Sequence, residues 1–154
     1  MSKVTVGKKV PDFAIATTAG KFRLKDARGG KLVVYFYPRD NTPGCTREGS
    51  DFRDLHAQFS KAGTTILGVS TDSLASHEKF IAKMGFPFAL GSDEDHALAE
   101  LFGAWKEKNM YGRKMMGIER STFLIDAEGV LREEWRKVKV DGHAAAVLAA
   151  ARKA

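Results

Sequence analysis

The sequence predicts an α/β fold in which a central mixed sheet is flanked by helices, and three observations carry that expectation. Two apolar, β-branched runs over 31–37 and 64–70 lie on either side of an amphipathic stretch over 43–61, the strand–helix–strand punctuation of parallel pairing. From Arg120 the apolar period changes to two, with a turn at Ala127-Glu128-Gly129 between alternating runs, which reads as an antiparallel hairpin. The chain has 154 residues, 44% hydrophobic and 29% charged, a size and composition for one domain over 1–154 whose core needs no disulfide or metal staple.

Taken in order, the first thirty residues read as an extended lead-in and a short hairpin. Phe13 to Ala16 forms one arm, Ala19-Gly20 the turn, and Phe22 and Leu24 alternate with Lys21, Arg23 and Lys25 on the other. Gly29-Gly30 interrupts. The strand over 31–37 ends at Pro38, because proline cannot donate to a ladder. Asn41 or Thr42 suits an N-cap, Pro43 suits the first helical position, and Phe52, Leu55, His56 and Phe59 recur at helical spacing; Gly63 closes that helix. After the strand over 64–70, Ser73 starts a second helix with Leu74, His77, Phe80, Ile81 and Met84 on one face, ended by Gly85. A short strand over 86–90 follows. Asp93 or Asp95 then opens a third helix with Leu98, Leu101 and Phe102 on its face, stopped by Gly103. The stretch 105–113 reads as a polar loop packed by Trp105 and Tyr111, the hairpin occupies 121–126 and 130–138, and the alanine-rich 144–152 is a terminal helix. There is no internal repeat, linker or low-complexity tract.

The chemistry centres on Cys45, the single cysteine of the sequence. With Thr42 as N-cap it falls in the first turn of the 43–61 helix, where unpaired N–H groups and the positive end of the helix dipole favour an anion, here a thiolate. A downward shift of two units, enough to make a thiol mostly ionised at neutral pH, is worth about 2.7 kcal/mol, whereas a helix terminus supplies ~0.3–1 and at most about 2. A second positive group is therefore expected. Arginine suits best, being always charged and able to hold a thiolate and a polar ligand with one fork. Spacing alone does not choose among Arg39, Arg47, Arg113 and Arg120. A free cysteine is more often a small buried hydrophobe, but such a residue needs neither a helix start nor the polar, Gly/Pro-rich approach seen here. Glu48, placed in the first turn, suits the helix dipole and could also position an arginine.

Other classes fit poorly. The formal charge of +6 is scattered from Lys3 to Lys153, and the densest basic run, 132–139, contains two acids, so nucleic acid is not an expected partner. No apolar stretch reaches membrane-spanning length and the N-terminus lacks the apolar core of a signal peptide, so no membrane partner is expected. One unpaired cysteine agrees with a reducing, cytoplasmic setting. His56, His77, His96 and His143 are spread without metal-ligand spacing, which points to no metal, and no phosphate-cradling glycine loop is present. A Cys–His hydrolase would need one of these histidines to meet Cys45 in space.

The pattern Pro38-x-x-x-Thr42-x-x-Cys45, within Tyr35-Phe-Tyr-Pro-Arg-Asp-Asn-Thr-Pro-Gly-Cys-Thr46, resembles the active-site motif of the peroxiredoxins, in the bacterioferritin-comigratory-protein (PrxQ) branch. Val10-Pro-Asp-Phe13, Trp105-Lys-Glu-Lys-Asn-Met-Tyr-Gly-Arg113 and Glu119-Arg-Ser-Thr-Phe-Leu-Ile-Asp126 extend the likeness over nearly the whole chain. The resemblance implies a thioredoxin-like fold and a thiol-dependent peroxidase acting on hydrogen peroxide and alkyl hydroperoxides through Cys45. It selects Arg120 by the Arg-x-Thr/Ser-Phe-Leu pattern, gives the peroxide oxygens to Thr42, Arg120 and the N–H groups of Gly44 and Cys45, and has Pro38 and Pro43 shape the pocket. The 105–113 stretch becomes a pocket wall. It implies no metal, haem or flavin, an external thiol reductant such as thioredoxin or glutaredoxin with glutathione, and a monomer, with two chains joined through an exposed Cys45 as the alternative. Many relatives carry a resolving cysteine five residues after the peroxidatic one, where Ser50 stands here; others place it in the next helix, near Ile81. Ser50 is then the natural residue of a one-cysteine enzyme or a serine put in place of the cysteine. A redox sensor whose Cys45 reacts once without turnover is the alternative.

Overall fold

Among residues 3–154, which the computed structural model describes (Met110 by its backbone alone), the strands are β1 (Ala14–Thr17), β2 (Gly20–Arg23), β3 (Lys31–Phe36), β4 (Thr64–Ser70), β5 (Ala89–Ser92), β6 (Trp105–Met110), β7 (Arg113–Ile118), β8 (Ser121–Ile125) and β9 (Leu131–Trp135). The helices are α1 (Pro43–Lys61), α2 (Leu74–Met84), α3 (Ala97–Leu101) and α4 (His143–Lys153). Seven strands form one sheet in the order β2-β1-β5-β4-β3-β8-β9. β3 pairs parallel with β4, from Lys31↔Thr64 to Phe36↔Val69, and antiparallel with β8. The sheet is therefore mixed, as the sequence predicts.

β3 is buried from Leu32 to Phe36 because helices or loops cover both of its faces, which is why that run is continuously apolar. Alternate residues feed two cores. Leu32, Val34 and Phe36 pack with Leu98, Ala99 and Phe102 around α3, while Val33, Tyr35 and Tyr37 pack with Phe52 and Phe59 of α1, Phe80 of α2 and Val147 and Leu148 of α4. Three helices thus stand on the face where β3 delivers the chain to Cys45.

Helices α1, α2 and α4 match the expected ranges closely. Gly63 and Gly85 follow α1 and α2 with positive φ, and Ser73 Oγ accepts from the Ser76 N–H at 3.2 Å. The expected strand over 86–90 begins three residues later, at Ala89, because Pro87 has no N–H for the ladder and Phe86 and Phe88 turn instead into the helical layer, stacked at 5.2 Å. α3 is only five residues long. Asp93 serves it from a distance, its carboxylate accepting the N–H groups of Leu98 and Ala99 at 3.0 and 2.8 Å. β9 is shorter than 130–138, since Lys137 adopts φ 50 and the chain leaves the sheet.

The largest departure lies at 105–113. It is not a loop but the first arm and turn of the separate β6–β7 hairpin, with Trp105 opposite Ile118 and Met110 opposite Arg113. Tyr111 and Gly112 both take positive φ, 54 and 78, as a two-residue turn between right-twisted strands requires. Tyr111 packs nothing, being 99% exposed at the tip.

Candidate active site

β3 ends at Phe36, and Tyr37 adds one more ladder bond, its N–H reaching the Val69 carbonyl at 3.0 Å, before Pro38 stops the strand. The following turn is pinned from below. Tyr37 hydroxyl donates to Asp40 Oδ1 at 2.5 Å, Ser76 hydroxyl donates to Asp40 Oδ2 at 2.8 Å, and His77 Nδ1 lies 2.7 Å from Oδ2. The Asp40 N–H donates to Asp72 Oδ2 at 2.8 Å. Burial works against the Asp40 carboxylate, but hydrogen bonds from His77 and Tyr37 outweigh it and hold the group below the usual carboxylate range. Asp40, Asp72 and His77 are the cluster among the described residues with metal-ligand geometry, yet their atoms already bond one another, Ser70, Ser76 and the Gly91 carbonyl, so the cluster anchors the turn.

Thr42 occupies the N-cap with φ −97 and ψ 156, but its hydroxyl does not cap the helix; it donates instead to the Arg39 carbonyl at 2.9 Å. Pro43 is the first helical residue, and Cys45 falls in the first turn, 2% exposed. Pro38 is half-buried beside this turn and Pro43 is exposed. Of the four candidate arginines, Arg120 is the one that reaches the cysteine. Its Nη2 donates to Cys45 Sγ at 3.2 Å and its Nη1 to Glu48 Oε1 at 2.6 Å. Arg39 and Arg113 are exposed, and Arg47 pairs with Asp141 at the surface. Gly44 makes room for the guanidinium, since a Cβ there would stand 3.1 Å from Arg120 Nη2.

Glu48 is not in the first turn of α1, where no acid occurs. It sits in the second, 1% exposed, and meets Arg120 rather than the helix terminus. Burial, opposed by Arg120, pushes its carboxyl up to about 7. His143, at the start of α4, is brought to the same corner and pulled down to about 4 by burial and then by Arg120. The β6–β7 hairpin contributes Lys108. Burial and then Arg120 hold this half-buried ammonium below the usual lysine range, while Cys45 and Glu119 oppose them.

A buried cysteine bonded to an arginine thus stands at a helix start reached from a Pro-x-x-x-Thr turn. The AhpC/TSA family model matches residues 6–134. The chain belongs to the AhpC/TSA family. Within it the relatives are peroxiredoxins of the Bcp branch. Xanthomonas campestris Peroxiredoxin Bcp is 60% identical over 127 residues, covering 82% of this chain and 79% of that one, and Bacillus subtilis Peroxiredoxin Bcp is 50% identical over 146 residues, covering 94% and 93%. A solved Xanthomonas campestris Bacterioferritin Comigratory Protein superposes with TM-score 0.90 at 50% identity, covering 99% and 98%. The thioredoxin-like architecture follows, and the chain is a peroxiredoxin with one cysteine.

Sequence reasoning did not reach the Asp40–His77 anchor or the place of His143, while Lys108 falls in the 105–113 stretch that the resemblance makes a pocket wall. The first two are made by elements distant in the chain, and no local spacing signals them. Ser50 lies further along α1, half-buried, its hydroxyl donating to the Thr46 carbonyl at 2.8 Å; Ile81 is half-buried on α2.

The opposed shifts of Glu48 and His143 make a stability prediction. Between about pH 4.5 and 6.5 folded Glu48 keeps a proton that the unfolded carboxyl has lost, so its contribution falls as pH rises. Over the same window the unfolded histidine carries a proton that folded His143 lacks, so its contribution rises with pH. The two nearly cancel. Glu48→Gln removes one side, and urea unfolding of that variant should show stability rising with pH more steeply than in the parent, by up to about 1.4 kcal/mol per unit.

Proposed function

We propose that Cys45 is the peroxidatic residue of a thiol-dependent peroxidase acting on hydrogen peroxide and alkyl hydroperoxides. The observation that carries this is the 3.2 Å contact from Arg120 to Cys45 Sγ at the start of α1. The Cys45 thiolate attacks the terminal oxygen of the peroxide; an S–O bond forms, the O–O bond breaks, and sulfur gives up two electrons. The other oxygen leaves as hydroxide or alkoxide and takes a proton, giving water or an alcohol, and Cys45 is left as a sulfenic acid. Arg120 and the N–H groups of Gly44 and Cys45 face the charge that develops on the leaving oxygen. Thr42 holds a peroxide oxygen by exchanging the Arg39 carbonyl for it. Pro38 and Pro43 border this mouth. The solved Xanthomonas campestris Bacterioferritin Comigratory Protein is described by its alkyl peroxide reduction activity, which supports the alkyl hydroperoxide half of this reading.

With one cysteine, reduction comes from outside the chain. A thiol of thioredoxin, or of glutaredoxin with glutathione, condenses with the sulfenic acid to release water and form a mixed disulfide, and a second thiol then frees Cys45. The enzyme acts as a monomer in a reducing, cytoplasmic setting. The test is turnover. Peroxide consumed well beyond one equivalent per protein with thioredoxin, its reductase and a reduced nicotinamide is the expected result, while a single stoichiometric oxidation would favour the redox-sensor reading.

The position vacated by a resolving cysteine is tested alongside. Solved variants of Xanthomonas campestris Peroxiredoxin Q replace cysteines thirty-six residues apart, which is also the separation of Cys45 from Ile81. Ser50 lies five positions from Cys45 on the same helix, about 7.5 Å along its axis, so a bond there requires the first turns of α1 to unwind. Ser50→Cys and Ile81→Cys are each treated with one equivalent of peroxide and weighed intact. A loss of two hydrogens marks the residue that restores the disulfide, and with Ser50→Cys it should bring a loss of helical signal. An added oxygen in both variants excludes both positions.

A further inference from the structure

The two oxygens of Glu48 have different surroundings. Oε1 accepts from Arg120 at 2.6 Å, whereas Oε2 is buried with no hydrogen-bond partner among the described residues. Oε2 is aimed at the corner between β8 and α4. His143 Nε2 stands 4.0 Å from it, and that nitrogen lies 2.8 Å from Thr122 Oγ1. The imidazole is held edge-on between Phe52 and Trp135, with ring centroids 6.1 and 5.8 Å away. At 4.0 Å an ionised Oε2 gains no hydrogen bond from this pair. A proton on Oε2 changes the chemistry, because the carboxylic O–H becomes a donor that can compete with the Thr122 hydroxyl for the one lone pair of His143 Nε2 and draw the 4.0 Å gap closed.

We propose that His143 Nε2, contested by the Thr122 hydroxyl, is the seat for a proton on Glu48, and that filling it loosens the Glu48–Arg120 pair holding the guanidinium against Cys45. The peroxide chemistry is then switched off toward acid pH by one buried carboxyl. His143 is a positioning residue in this scheme, acting through Glu48 and Arg120. The inference rests on the reading of Cys45 as the peroxide-reacting thiolate. The charged and titratable groups around Glu48 are Cys45 and Asp51 on α1, Tyr35 on β3, Arg120 ahead of β8 and His143 on α4, with the Thr122 hydroxyl beside His143. Burial is the strongest influence on Glu48 and places its titration at about 7, while His143 remains neutral down to about 4 and so offers no opposing positive charge in between.

The test follows the Glu48 carboxyl carbon by NMR in protein labelled with carbon-13 glutamate, from mildly acidic to mildly alkaline pH. In parallel, the second-order rate of Cys45 oxidation by hydrogen peroxide and the thiolate absorbance are measured. The Glu48 resonance should titrate near neutrality, with the rate falling across the same range. His143→Gln places an amide donor opposite Oε2 and favours the carboxylate, so both midpoints should move together toward acid, leaving the rate at mildly acidic pH several-fold above the parent. Thr122→Val removes the competing hydroxyl and frees Nε2 for the Glu48 proton, so both midpoints should move the other way. A resonance that titrates in the ordinary carboxylate range, ignores both substitutions, or moves in the same direction in both overturns the inference. If one variant fails to fold, the other decides by its direction of shift. An inert Cys45 would refute the peroxidase reading while the carbon titration still reports on Glu48.

Discussion

Arg120→Lys should slow oxidation of Cys45 by peroxide about tenfold or more, and Arg120→Met on the order of 10²-fold, the loss typical of a donor aimed at developing charge. The guanidinium makes two separate contacts, Nη2 to Cys45 Sγ at 3.2 Å and Nη1 to Glu48 Oε1 at 2.6 Å. A lysine ammonium is a point charge on a flexible stem and cannot keep both directions at once. Arg120→Met removes the charge as well and leaves Glu48, 1% exposed, without its partner. Breaking a buried pair in this way costs roughly 3–5 kcal/mol unless the carboxyl takes up a proton, so the variant should also unfold at lower urea. Rapid-mixing measurement of the Cys45 oxidation rate at several peroxide concentrations gives the result directly. Arg113→Lys, on an exposed hairpin residue, should react at the parent rate; an unaffected Arg120→Lys beside a crippled Arg113→Lys would mean the wrong arginine had been assigned.

Gly49→Ala should destabilise the protein by about 1–3 kcal/mol, the usual cost of forcing atoms into a packed core. The helix alone predicts the opposite sign, since alanine in a helix interior is favoured over glycine by roughly 0.5–1 kcal/mol. Packing decides it. A Cβ at Gly49 would stand 2.5 Å from Phe86 Cζ and 3.0 Å from Cε1. The Phe86 ring is fixed, stacked on Phe88 at 5.2 Å and edge-on to Phe80 at 4.9 Å. In thermal unfolding the variant should melt about 2–4 °C lower for each kcal/mol lost. Adding Phe86→Leu to Gly49→Ala should recover part of the loss; equal stability of Gly49→Ala and the parent would show that α1 and the Phe86 segment separate more easily than their packing indicates.

The sequence by itself determined the elements whose causes are local. Pro38 and Pro43 bracket the turn between β3 and α1, Gly63 and Gly85 follow α1 and α2, and the alternation after Arg120 places β8 and β9 in an antiparallel hairpin. It also put Cys45 in the first turn of α1, because capping and proline preference act over four or five residues. Where a local signal was lacking, it chose less well. The polar 105–113 stretch looks like a loop because Lys106-Glu107-Lys108-Asn109 shows no apolar alternation, and only the paired backbone and the positive φ of Tyr111 and Gly112 show the hairpin. The family pattern singled out Arg120, but only the tertiary structure decided that it reaches Cys45 and which other groups surround the pair. Arg120 is 75 residues away in sequence and meets it because β8 pairs with β3, the strand that delivers the cysteine. Glu48 is a buried partner of Arg120, the arginine-positioning role the sequence offered beside the helix dipole, and His143 of α4, bonded to Thr122 of β8, comes to its other oxygen. Such contacts depend on burial and strand order, and burial is what moves the Glu48 and His143 protons away from their ordinary ranges. Neither is written in the spacing of residues along the chain.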